Sequence, residues 1–422
     1  MRKRKLYAVV VLLFVISNLQ FAQDNNIKSI INKSIELSPK IKMLKAKRDI
    51  AFYRIDQKSN LPDPMLTLAL INLPTNSFSF DQEAMTGKII GLTQKFPFPG
   101  KLSAMEDFMA IDTLIIDQEI NDEINKITET VTKSYFDLSY FRQAIFYAEE
   151  TAKLLKEIED VVGVKYSVST ATQQNLIKVQ LEITKISDKI EELKSMEKNS
   201  LSIINSFLFK EASNNINTVI VSSIKPVNIK LEELTNLAEK NRPFLKGIKY
   251  SVEKAQLSKS IADKDYYPDI SLGVQYSLRE RIASTGKDLD NMMSLVLGIS
   301  IPINYGGKLT AKVEESVSLQ KLNEEKYSTA LQFLISKFGS DLAELKSTEE
   351  RIKLFEEGLL PQVNQNLKSA LASYQVDEVD FINVIDAQDQ LFKIETNLYK
   401  LKTNYLKQIA ELEFLTGTSL TN

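Results

Sequence analysis

The sequence predicts a mainly α fold with short β-strands, built from one unit used twice. Three observations lead there. Motifs recur about 207 residues apart. Apolar residues keep coiled-coil spacing over helices longer than about 40 residues. Four segments of about 9–10 residues alternate apolar and polar side chains, the pattern of strands with two unlike faces. Each half reads as long helix, two short strands, very long helix, second long helix.

The elements follow in order. Residues 1–22 read as a signal peptide: Met-Arg-Lys-Arg-Lys, an apolar run from Leu6 to Ile16, and cleavage after Ala22. That apolar run is too short to span a bilayer, and no later stretch reaches the length a membrane helix needs. Ile27, Ile30, Ile31, Ile35, Ile41 and Leu44 predict a helix over 27–58, broken near Leu37-Ser38 and stopped by Pro62 and Pro64. Met65–Asn72 and Lys88–Phe96 are strands around a polar loop, Leu73–Gly87. From Lys101 to about Val162, Ile120, Ile124, Ile127, Val131 and Leu138 mark a coiled-coil seam. A helix returns over 171–207.

Residues 210–228 read as a linker, with a β-like Thr218–Ile224. The second copy then runs as a helix over 231–265, strands at Tyr267–Leu278 and Ser294–Ile303, and a helix from Lys308 that kinks near Gly358–Pro361. A last helix runs from about Glu378 to Leu415. The divisions expected are 23–209 for the first repeat, 210–228 for the linker, 229–416 for the second repeat and 417–422 for a tail.

Four strands of this length suit a membrane barrel, although a half-buried soluble sheet alternates identically. Four cannot close a barrel in one chain, and an open edge is forbidden in lipid. Membrane strands would therefore require several chains in one ring. Gly100, Gly306 and Gly307 stand at the strand-to-helix junctions and are expected to serve sharp turns.

Chemistry is sparsely supported. The chain has no His and no Cys, so the usual general base, thiol nucleophile and disulfide are missing. No phosphate or dinucleotide fingerprint occurs, and no cofactor is expected. Without the four basic leader residues, 49 basic residues face 55 acidic ones, a charge of −6 that disfavours nucleic acid. Met105 and Met109, and Met292-Met293, read as packing residues rather than a soft-metal site.

The motifs also carry a resemblance. Ala372–Leu391 reads ASYQVDEVDFINVIDAQDQL, and the strands exit through PFPGKL and NYGGKL. With these, essentially the whole mature chain resembles the TolC-type outer-membrane efflux proteins of Gram-negative bacteria. Pro62–Pro64 and Gln94–Lys101 resemble the heavy-metal efflux branch. The resemblance implies a homotrimer with a 12-strand barrel in outer-membrane lipid and a periplasmic tunnel of 12 helices. It implies a passive exit duct, docked through a periplasmic adaptor to an inner-membrane transporter of the RND type. Adaptor-contacting tips match Val168, Ser169, Thr170, Val376, Asp377 and Glu378. A periplasmic gate that is doubly acidic in some members matches Asn383 and Asp386, so one acid remains. A secreted coiled-coil scaffold is the alternative.

Overall fold

The computed structural model describes residues 27–420 except Asp377. The expected leader with its cleavage site, the tip residue Asp377 and the last two residues lie outside the described residues. The chain forms two compact units, each drawing on both repeats. The sheet unit holds Met43–Glu119 and Phe244–Thr329; the helical unit holds the described residues up to Lys42, Ile120–Pro243, and the described residues from Ala330.

Helix α1 (Ile27–Leu37) and α2 (Pro39–Ser59) are separated at Ser38, where Pro39 withdraws a backbone donor. β1 (Met65–Ile71) and β2 (Gly87–Phe96) form a hairpin, and α3 runs unbroken over Lys101–Ser167. α4 (Gln173–Leu208) starts on Thr172, whose side chain caps the Asn175 N–H. The helix expected over 231–265 is two helices, α5 (Leu231–Asn241) and α6 (Pro243–Lys264). Arg242 between them is extended, because the proline ring disfavours helical backbone before it. β3 (Asp269–Leu278) and β4 (Met292–Ser300) follow. β4 was expected over Ser294–Ile303, but the ladder ends where β3 ends, Ser300 opposite Asp269, just short of Pro302. α7 (Lys308–Leu354) continues through a π-turn at Phe355–Leu359 into α8 (Leu360–Gln375), and α9 is Phe381–Thr416.

In the sheet unit the four strands form one antiparallel sheet in sequence order. The two hairpins join through β2 and β3, with Leu92 opposite Val274. The register places Leu66, Leu68, Ile90, Leu92, Ile270, Leu272, Val274, Leu295 and Leu297 on one face. The edges β1 and β4 have no strand partner among the described residues.

In the helical unit the seams fill the core. Val131 and Leu138 of α3, Leu334 and Phe338 of α7, and Tyr405 and Leu412 of α9 are all buried. Ile124 of the predicted seam is only half-buried. Lys133 and Lys337 both pair with Glu411, at 3.1 and 2.8 Å, tying α3, α7 and α9 together. Those lysine hydrogen bonds outweigh burial and hold the Glu411 carboxyl below its ordinary range.

The linker makes no β-ladder, contrary to the β-like reading of Thr218–Ile224. It lies extended as a strap, and helix side chains replace strand partners. Tyr135, Tyr399 and Tyr405 hydroxyls accept the N–H groups of Val219, Val221 and Val227 at 3.1, 2.9 and 2.9 Å. Ser139 donates to the Val219 carbonyl and Lys402 to that of Ser222. The strap thus satisfies much of its inward backbone without secondary structure.

Candidate channel wall and entrance

The two faces of the sheet differ in chemistry and in crowding. The apolar face is open: Leu68 is 72% and Leu295 79% exposed. The other face carries Thr67, Thr93, Ser271, Gln275, Ser277 and Ser294, with Gly91, Gly273 and Gly298 stepping diagonally across β2, β3 and β4. A Cβ at Gly273 would sit 2.8 Å from Thr93 Oγ1, and one at Gly91 would sit 3.0 Å from Gln275 Cγ. One at Gly298 would collide with Ser271 Oγ. These glycines let the polar face close in while the apolar face spreads, as a sheet curling toward a barrel requires.

Aromatic rings bound the apolar band. Near the helices, Phe98 stacks on Tyr267 at 4.4 Å, and Tyr305 is 89% exposed. At the loop end, Lys88 sits 4.4 Å above the Phe80 ring, and Asn291 donates to Tyr276 Oη. From Phe96 to Lys88, β2 covers ~27 Å at the usual strand rise, or roughly 21 Å of membrane depth at a 40° tilt. That approaches the apolar height of outer-membrane barrels, about 25 Å.

The loops within the two hairpins, between β1 and β2 and between β3 and β4, are tied together: Ala283 N–H donates to the Asp81 carbonyl at 2.9 Å, and Lys88 at the start of β2 pairs with Glu280 at 2.7 Å. At the sheet-to-helix junctions Gly100, Gly306 and Gly307 all have positive φ, 78°, 65° and 76°, where a Cβ would be strained. Beside them, Lys101 Nζ lies 2.6 Å from Asp265 Oδ1, and Lys312 pairs with the other oxygen. Burial pushes the Asp265 carboxyl up, but the two lysine hydrogen bonds prevail and hold it below the usual range.

The entrance candidates lie in the helical unit. Between α3 and α4, Val168, Ser169 and Thr170 make a tight turn with Ser169 at φ 62°. The Thr170 N–H returns to the Lys165 carbonyl at 2.8 Å. Between α8 and α9, Val376 is exposed and the Glu378 N–H reaches the Ser373 carbonyl at 2.9 Å. The turns are stitched by Lys165, which donates to the Tyr374 carbonyl and sits 4.4 Å over its ring. Asn383 and Asp386 both lie on the exposed stripe of α9, while Phe381, Val384, Ile385 and Ala387 are buried.

Two features escaped the sequence reading. Asp389 stands one turn from Asp386 and pairs with Lys393 at 2.5 Å. The spacing Asp-Ala-Gln-Asp was the available signal. Glu182, Lys185 and Lys189 of α4 join these residues around a groove of about 430 Å³, floored by Ile385 and Phe392. The tyrosine-held strap had no sequence signal at all.

No group of three or more His, Cys, Asp or Glu side chains among the described residues is placed to hold a metal ion. Met105 and Met109 are half-buried on α3, and Met292 and Met293 lie exposed on β4. No helix among the described residues is long and apolar enough to cross a membrane.

Comparison with known proteins agrees with this geometry. Residues 234–418 match the family model described as outer membrane efflux protein. The cation efflux system protein CusC of Escherichia coli K12 is 21% identical, over 94% of this chain and 87% of CusC. A crystal structure of CusC superposes with a TM-score of 0.77 at 18% identity, covering 93% of this chain and 92% of that one. The outer membrane protein VceC of Vibrio cholerae gives 0.76 at 14% identity, covering 94% and 97%. Residues 234–418 therefore carry the match to the outer membrane efflux protein family, and the chain as a whole shares the fold of these outer-membrane proteins.

Proposed function

We propose that this protein is the passive outer-membrane exit duct of a tripartite efflux system. The observation that carries the reading is the sheet. Its apolar face is exposed, its polar face is narrowed by glycines, and neither edge strand has a strand partner among the described residues. Such a sheet is stable in lipid only when other copies pair its edges. Three copies give a closed barrel of twelve strands, β1 of one copy beside β4 of the next, with twelve helices lining a periplasmic tunnel. The hairpin loops, Leu73–Gly87 and Glu280–Asn291, face outside. The turns at Val168–Thr170 and Val376–Glu378 face the periplasm and receive an adaptor that links the duct to an inner-membrane RND transporter.

The likeness to a cation efflux protein supports heavy-metal cations as cargo. A passive tube gains nothing by gripping its cargo. Asp386 and Asn383 form the periplasmic constriction, and the carboxylate makes it prefer cations.

Fractionation tests the duct. The protein should stay with the outer membrane through salt and carbonate washes and cross-link as a trimer. A freely soluble monomer would leave only a scaffold. A deletion strain should lose tolerance to Cu, Ag, Zn, Co or Cd salts; sensitivity to dyes and detergents alone would overturn the metal assignment. In planar bilayers Asp386→Asn should lower cation selectivity and divalent block.

A further inference from the structure

Between the strand-to-helix junction and the helical tip the two repeats are not of equal length, and there the difference falls at one place. The Gly-Lys-Leu junctions are 207 positions apart, Gly100 against Gly307, whereas the tip tyrosines, Tyr166 and Tyr374, are 208 apart. The long helix of the second repeat thus carries one extra residue. The buried seams locate it. In α3, Ala148, Leu155 and Val162 follow one another seven apart. In the second repeat, Leu345 and Ile352 are seven apart, but Leu367 comes fifteen after Ile352 rather than fourteen. Between them lies the π-turn Phe355–Leu359, closed by the Leu360 N–H on the Phe355 carbonyl. A π-turn is how a helix absorbs one added residue without rotating the seam beyond it.

That turn is a soft point. It contains Gly358, and Pro361 just beyond it supplies no N–H to the preceding turn. α3 has no interruption at the matching place. One side chain steadies the turn from outside. Lys402 of α9, only 8% exposed, lies 2.6 Å from Glu356 Oε1 and donates to the Ser222 carbonyl of the strap, also at 2.6 Å. A single ammonium therefore ties the π-turn, the returning helix and the strap together.

We infer that Phe355–Leu359 is a hinge for α8 and the start of α9, which carry Asn383 and Asp386, and that Lys402 is the positioning residue that sets its resting angle. This inference rests on the duct reading and adds its regulation. Deleting Gly358 restores strict spacing across the seam, Ile352 to Leu367, and removes the soft turn. Lys402→Met keeps the aliphatic stem and releases both Glu356 and the strap.

Single trimers in planar bilayers test this. Deletion of Gly358 should hold the channel at one conductance level, and Lys402→Met should raise the fraction of time spent at the higher level by about tenfold, with Lys402→Arg restoring the wild-type pattern. Conductance levels and dwell times that match wild type in both the deletion and Lys402→Met would overturn the hinge. If the deletion variant does not assemble, unchanged dwell times in Lys402→Met alone overturn it. A wild-type protein that forms no channel would instead refute the duct.

Discussion

Replacing Tyr399 by Phe removes one oxygen from the strap and should open it. That hydroxyl accepts the Val221 N–H at 2.9 Å and shares a proton with Ser139 Oγ, also at 2.9 Å. Tyr399 and Val221 are 5% and 7% exposed, so water cannot readily take the vacated place. Ser139 keeps its bond to the Val219 carbonyl, and the unpaired group is the Val221 N–H. Burying one such donor costs about 1–3 kcal/mol, roughly 5- to 150-fold in the local opening equilibrium. Tyr135→Phe is the internal control. Its partner Val219 is 60% exposed, and solvent can replace the lost bond, so about 0.5–1 kcal/mol is expected. Tyr405→Phe, whose partner Val227 is half-buried, should fall between. Hydrogen exchange over residues 210–228 in the detergent-solubilised protein reads these openings directly. Equal exchange in the Tyr399 and Tyr135 variants would show that burial does not govern the strap and would refute the reasoning.

Further outcomes follow from the same geometry. Gly273→Ala should destabilise the sheet by about 1–3 kcal/mol through its clash with Thr93 Oγ1, and Thr93→Ala should recover much of the loss. Heat resistance of the assembled oligomer on gels measures both. Asp265 is held below the ordinary carboxylate range, so its contribution to stability is complete above about pH 4, the unfolded value, and is lost as pH falls through the folded one. Acid titration by circular dichroism should show no change from pH 8 to 5 and a steep limb below. Asp265→Asn should flatten that limb.

Much of the fold is legible in the sequence because it is periodic. Val131 and Leu138, or Tyr405 and Leu412, are seven apart and buried as that spacing requires. Alternation gives the strands, because Leu272 and Val274 point opposite to Ser271 and Gly273. What stayed hidden depends on residues distant in sequence. Tyr135 and Tyr399 are 264 positions apart, and nothing local says that both hold the same strap. The break before Pro243 was visible as a proline, yet the apolar spacing on either side masked it. At the entrance, the seam shows which side of α9 is buried, so Asp386 falls on the open side; Asp389 and its groove need the packing of α4 against α9.

The unpaired edges of β1 and β4 also govern how the protein must be made. A lone exported chain presents two strand templates and a broad apolar face to water, and any extended segment can pair there. In the three-copy barrel proposed above, two correct encounters must precede closure, so the yield of mature protein should depend steeply on local chain concentration. Half-assembled species should be the ones that aggregate or are degraded. Overproduction and scarcity would then fail for different reasons, the first by mispairing and the second by waiting too long with open edges.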